Sequence, residues 1–232
     1  MFLLPLVIAY EVGSAVVLSG PGGADLPELR AERMLGSIFA SLGAGGLYLP
    51  GVLLVVVLLI WHLLTRDSWR VRPSVCGGMI LESIFWTLPL LVLGQMVFRA
   101  FDMAPQLAAP AQTNSVLEAA PAHVRALFAV GAGLYEELVF RLMAIALVHA
   151  IAADLLRVPE GPARASAVFI SAVAFALYHD VMMPTGGIDP ARLAVFTFAG
   201  VYFGTLYVLR GFGIVVAVHV LYDLAVLVLL TR

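Results

Sequence analysis

Seven long apolar stretches constrain the fold of this 232-residue chain more than any other feature. A helix that spans a bilayer needs about 20 mostly apolar residues, and each stretch approaches or exceeds that length. They are bounded by arginine, proline, glycine or acidic residues and cover approximately residues 2–19, 36–64, 77–101, 122–155, 163–183, 191–209 and 213–230. The sequence therefore predicts an all-α, polytopic transmembrane helix bundle of about seven helices.

The composition indicates that lipid rather than water surrounds these helices. Hydrophobic residues make up 62% of the chain and charged residues 12%, whereas soluble domains carry about 25% charged residues. A soluble globular domain is therefore excluded, and we expect a multi-pass protein of the cell (inner) membrane. The net charge of -2, without a basic run, argues against a nucleic-acid partner. The single Cys76 excludes an intramolecular disulfide.

Polar residues within the apolar stretches divide the chain into two parts. Charged groups in a spanning helix cost about 2.5 to 3.5 kcal/mol each on insertion, so they are functional candidates by default. Most of them lie in the second half of the chain. We expect residues 1–120 to form N-terminal transmembrane helices and loops, and residues 121–232 to form a catalytic core whose site comes from the last four helices.

The first polar cluster is Tyr-Glu-Glu-Leu-Val-Phe-Arg at positions 135–141. Glu137 and Arg141 are four residues apart, which places them on one helix face within reach of an ion pair. Glu136 points about 100 degrees away, because the helix has about 3.6 residues per turn. The pattern predicts one neutralised carboxylate and one that needs a partner on another helix or acts as a general base.

Two later helices contribute histidines. Phe175 and His179 lie one turn apart on the fifth stretch, and His219 and Asp223 have the same spacing on the seventh. We expect Asp223 to reach the His219 ring and to fix its tautomer. A histidine and an aspartate inside an otherwise apolar helix favour a functional role over packing.

Taken together, these three clusters resemble a known family. The motifs EExxxR, FxxxH and HxxxN/D in successive transmembrane helices are those of the CPBP family of intramembrane proteases, which includes CAAX prenyl endopeptidases and the Abi proteins. The resemblance covers about residues 122–230. This chain departs from many members at Leu142, where glycine is common, and at Asp223, where CAAX-type members often have asparagine.

The resemblance implies hydrolysis of a peptide bond in a membrane-associated or lipid-anchored protein or peptide, in or near the bilayer. The residues that it implies as catalytic are Glu136, His179, His219 and Asp223, and those that it implies as supporting are Glu137, Arg141 and Phe175. By motif position Glu136 would activate water with help from His179. His219 and Asp223 would stabilise the oxyanion or orient the site. Ionised aspartate cannot donate a hydrogen bond as asparagine can, so we expect Asp223 to act through His219, leaving the other ring nitrogen to face the substrate.

Several alternatives stay open at this stage. No cofactor is favoured, although Glu136, His179, His219 and Asp223 could supply a tetrahedral zinc shell; the sequence lacks the HExxH pair of many zinc proteases. A small ion- or proton-coupled transporter, or a non-catalytic immunity or scaffold protein of the same fold, would also suit seven helices.

The helix boundaries create a geometric difficulty for a single site. His179 falls late in the fifth stretch and His219 early in the seventh, and these two helices should run parallel. At about 1.5 Å per residue they would lie about 12 Å apart in depth. A single site therefore requires tilting, a kink or different helix ends.

Overall fold

The computed structural model describes residues 2–18, 20, 28–44, 46, 49–66, 68–100, 117, 119–183 and 186–230. Eight helices account for most of these residues, and the prediction of an all-helical bundle is confirmed. They are α1 (Leu4–Leu18), α2 (Arg30–Ser41), α3 (Leu49–Thr65), α4 (Pro73–Ala100), α5 (Ala122–Leu155), α6 (Glu160–Tyr178), α7 (Pro190–Arg210) and α8 (Phe212–Leu230).

Five of the eight helices in the described chain are long and apolar enough to cross a membrane, namely α4 to α8. Two more, α1 and α3, are apolar but shorter. These seven correspond to the seven predicted stretches. The remaining helix, α2, overlaps the start of the second predicted stretch.

The predicted second stretch, residues 36–64, is wrong as a single helix. It is divided between α2 and α3. The end of α2 is a Schellman motif, in which the amide of Gly43 donates to the carbonyl of Ala40 and the amide of Ala44 donates to the carbonyl of Phe39. Gly43 adopts a φ of +79°, a left-handed conformation that glycine tolerates at little cost. Because the residues before and after this helix end are both apolar, the hydrophobic pattern did not indicate it.

Helix α5 changes its winding directly after the Glu-Glu pair. It is α-helical from Ala122 to Glu137 and π-helical from Leu138 to Ile145. Ser171 of α6 donates a hydrogen bond to the carbonyl of Phe140 within this wider turn. Short π-helical segments are frequent at functional sites, and this one begins one residue after Glu137.

The fifth predicted stretch extends too far at its C-terminal end. Helix α6 stops at Tyr178, and His179 has an extended backbone with φ of -78° and ψ of 166°. The following segment folds back on itself, because Asp189 donates its amide to the carbonyl of Val181. Helix α7 then begins at Pro190, capped by the Asp189 side chain. His179 therefore lies at the end of a helix rather than within one.

Two close helix contacts bring the polar clusters together. A Cβ on Gly133 of α5 would lie 3.0 Å from the backbone nitrogen of Val220, so α5 and α8 approach closely beside the Glu-Glu pair and His219. A Cβ on Gly200 of α7 would lie 2.8 Å from the Cα of Ala172 on α6. Small residues at a helix interface allow backbones to approach as closely as this second contact does.

Candidate functional site

The charged and imidazole groups singled out from the sequence converge in one buried cluster. Each residue is at most 5% exposed. Helix α5 supplies three of them, the end of α6 supplies one and α8 supplies two. They are Glu136, Glu137, Arg141, His179, His219 and Asp223.

Glu136 lies between the two histidines. Its Oε2 atom is 3.9 Å from Nε2 of His179 and 3.9 Å from Nε2 of His219. Neither carboxylate oxygen has a hydrogen-bond partner among the residues that the structure describes. Because α6 ends at Tyr178 and the chain turns there, the two rings reach one carboxylate. The expected 12 Å difference in depth is therefore not present.

Glu137 has a separate set of partners. Its Oε2 atom lies 3.0 Å from Nε of Arg141, which confirms the ion pair expected from the four-residue spacing. The guanidinium also lies over two aromatic rings, 4.5 Å from the centre of Phe175 and 5.6 Å from that of Phe203. A buried cation is thus neutralised on one side and contacts π-electrons on the other.

The tautomer of His219 is set differently from the expectation. Nδ1 of His219 donates to Oε1 of Glu137 over 2.8 Å, so Glu137 rather than Asp223 holds this side of the ring. Oδ2 of Asp223 lies 3.5 Å from Nε2, the nitrogen that also faces Glu136. Asp223 thus contacts the His219 ring as expected, but at Nε2, whereas Glu137 bonds Nδ1.

His179 is oriented by its own helix. Nδ1 of the ring donates to the carbonyl of Phe175 over 2.8 Å, and the Phe175 ring lies 4.4 Å from the imidazole between centres. With the proton of Nδ1 used in this way, Nε2 of the neutral ring is a hydrogen-bond acceptor. The i, i+4 spacing of Phe175 and His179 thus serves backbone capping as well as ring packing.

Helix α7 contributes two aromatic residues that the sequence analysis missed. Phe196 stacks on His179 with ring centres 4.1 Å apart, and Phe203 stacks on His219 with centres 4.7 Å apart. The two phenylalanines are seven residues apart, or about two helical turns, so they share one face of α7. The sequence shows this spacing, but it does not indicate that the two rings stack on His179 and His219.

A largely apolar cleft opens beside the cluster. Its polar lining comes from His179, His219 and Asp223, with Tyr222 adjacent to them. Helix α4 forms part of the wall, although the sequence analysis assigned the site to the last four helices alone. The apolar wall consists of Leu90, Leu93, Gly94, Phe175, Val195, Phe196, Phe198, Ala199 and Phe203.

The zinc shell considered from the sequence is not formed by the described side chains. Within the described ranges, no three or more histidine, cysteine, aspartate or glutamate groups are arranged to hold a metal ion. Glu137 is bound to Arg141 and to His219. These residues place a buried carboxylate between two imidazole nitrogens. Such groups can transfer protons to and from a small polar molecule that lies between them.

Comparison with known proteins gives a family for the part of the chain that holds this cluster. Residues 119–225 match the family model described as type II CAAX prenyl endopeptidase, Rce1-like. No curated protein and no solved structure matches the chain. The match spans all six clustered residues. Over residues 119–225, the chain is therefore similar to the CPBP/CAAX protease family of membrane peptidases.

Proposed function

We propose that this protein hydrolyses a peptide bond of a lipid-anchored, prenylated protein or peptide, using a water molecule activated by Glu136. One observation carries the proposal. A fully buried carboxylate without a hydrogen-bond partner in the described chain faces two imidazole nitrogens at 3.9 Å each. A separation of 3.9 Å is longer than a direct hydrogen bond, so the carboxylate is not bonded to either imidazole and can bind water instead.

The proposed reaction begins with a water molecule between Glu136 and the histidines. Glu136 accepts one proton as the water oxygen forms a bond to the carbonyl carbon. Nε2 of His179 accepts a hydrogen bond from the second O–H, because its Nδ1 proton is held by the carbonyl of Phe175. The C–N bond then breaks, and Glu136 returns its proton to the leaving amine.

His219 and its neighbours support the negative charge that develops on the carbonyl oxygen. When Nε2 of His219 carries a proton, it donates to this oxyanion, while Nδ1 stays bonded to Glu137. A fixed donor in a buried site stabilises such charge more than a mobile one. Arg141 holds Glu137, and Glu137 holds His219, so these two residues act by positioning.

The cleft supports an apolar substrate next to the scissile bond. Its wall is formed by aliphatic and aromatic side chains, and the family acts on prenylated, membrane-anchored proteins. We further propose that residues 121–232 are the catalytic core, that residues 1–120 complete the bundle, and that the protein resides in the cell (inner) membrane.

Cleavage of a defined peptide in a bilayer tests this function. The purified protein is reconstituted in nanodiscs with a farnesylated peptide ending in a CAAX sequence, and mass spectrometry detects loss of the C-terminal residues. The same peptide without the lipid is the control. We expect cleavage of the farnesylated peptide at the higher rate. No cleavage of either, together with proton flux in proteoliposomes, would favour a transporter; neither activity would favour a scaffold.

A further inference from the structure

The backbone carbonyl of Tyr178 occupies a special position, because it is the last of helix α6 and directly precedes His179. The final carbonyls of a helix have no partner within it. In α6, the carbonyl of Ala176 accepts from the amide of His179, and the carbonyl of Phe175 accepts from its ring. The carbonyl of Tyr178 needs a donor from elsewhere in the molecule.

Arg30 provides that donor from the far end of the chain. Its Nη1 donates to the carbonyl of Tyr178, although the two residues are 148 positions apart. The guanidinium also lies 5.6 Å from the centre of the Tyr178 ring. A cation at a helix C-terminus is favourable because the helix dipole is negative there. Arg30 thus caps the C-terminus of α6 with a charge, a hydrogen bond and a ring contact.

The helix that carries Arg30 is itself fixed against α5, the helix of the Glu-Glu pair. Tyr10 of α1 donates to Glu32 of α2 over 2.7 Å, and its ring lies edge-on to Tyr135 at 5.5 Å between centres. Tyr135 donates to Glu11 of α1 over 2.9 Å. The same N-terminal helices therefore contact Tyr135, which precedes Glu136, and Tyr178, which precedes His179.

We propose that Arg30 is a positioning residue of the hydrolytic site, acting through the Tyr178 carbonyl to hold His179 against Glu136. The effect of Arg30 on catalysis rests on the proposed function, whereas its effect on the position of His179 does not. His179 leaves the helix with an extended backbone, so the rotation of the Tyr178–His179 peptide decides where the imidazole lies. Arg30 restrains that peptide, and the family match does not include it, since it begins at residue 119.

Substitution of Arg30 tests the proposal in the full-length protein. Arg30→Met removes the donor and the charge while it keeps an unbranched side chain, and Arg30→Lys restores a charged donor. Arg33→Met is the matched control, because Arg33 lies on the same helix and is exposed. We expect Arg30→Met to lower kcat for the farnesylated peptide about 10- to 100-fold, the cost of misplacing a reacting group by about 1 Å. KM should change less than about twofold, and Arg30→Lys should recover most of the loss.

Amide hydrogen exchange supplies a readout that does not depend on activity. Arg30→Met should accelerate exchange in peptides covering residues 179–183 by about tenfold or more, because the amides of this segment become less protected, whereas Arg33→Met should not. Unchanged exchange and unchanged kcat in Arg30→Met would overturn the proposal. A lysine variant as inactive as the methionine variant would also overturn it. If the wild-type protein cleaves nothing, the proposed function fails, and exchange alone decides whether Arg30 holds this segment.

Discussion

The buried pair of Glu137 and Arg141 should be strongly coupled in stability. Arg141 has no exposed surface, and its charge is balanced by the Glu137 carboxylate at 3.0 Å. Removing one partner of a buried pair costs about 3 to 5 kcal/mol, because the other charge is left uncompensated. Replacing both by neutral groups of similar size costs far less. We therefore expect Glu137→Gln and Arg141→Met to be severe singly and mild together.

The surroundings refine the size of each effect. In Glu137→Gln, the guanidinium keeps its contacts with Phe175 and Phe203, each worth up to about 2 kcal/mol when desolvated, so the loss should be near 3 kcal/mol. In Arg141→Met, Glu137 keeps the hydrogen bond of His219, worth about 1.5 to 3 kcal/mol, and the loss should be similar. The double variant should lose less free energy of unfolding than the two single losses added together, by at least about 3 kcal/mol.

Unfolding in mixed detergent and SDS micelles, followed by tryptophan fluorescence, measures these differences. The four proteins of the cycle are compared at one pH and one lipid content. Additive effects of the two single substitutions would show that the pair is not coupled. Single losses below about 1 kcal/mol would show that the charges are solvated, which would refute the account of a fully buried ion pair.

Three further predictions concern other parts of the molecule. Gly200→Ala should destabilise the protein by about 1 to 3 kcal/mol, because the added methyl group would clash with Ala172 of α6. Gly77→Ala should be neutral or stabilising, because nothing lies within 4 Å of a Cβ at that position. Equal thermal unfolding temperatures for the two variants would contradict this. Burial raises the pKa of Glu32, so its ionisation opposes folding as pH rises. Glu32→Gln should raise the unfolding temperature at pH 7 more than at pH 4.5, and the exposed Glu28→Gln should not. Asp223→Asn should retain cleavage within about tenfold, because asparagine both donates and accepts; loss of turnover in a folded protein would show that the charge is required.

Helical periodicity and spacing predicted much of the cluster. The ion pair between Glu137 and Arg141 follows from a four-residue spacing, and the contact between Asp223 and His219 follows from the same rule. Such rules work because they involve one helix only. The convergence of three helices on Glu136 was suggested by the combination of motifs, not by any single spacing.

Features that depend on tertiary structure could not be predicted in this way. Glu137 holds the tautomer of His219 because α5 and α8 pack closely at Gly133. Helix α6 ends early because the His179 ring caps a carbonyl, and no proline or glycine marks that end. Arg30 lies between the first two predicted stretches, and its partner is 148 residues away, so no local pattern indicates the contact.

The central claim is that Glu136 activates the attacking water. Turnover of the farnesylated peptide by Glu136→Gln measures this most directly, with Asp154→Asn as the matched control, since Asp154 lies on the same helix and is exposed. Glutamine keeps the shape of the side chain but cannot accept the proton. The account predicts that Glu136→Gln stays folded and loses cleavage by at least about 100-fold, the contribution of a general base, while Asp154→Asn cleaves as the wild type does. Cleavage by folded Glu136→Gln at the wild-type rate would contradict the account.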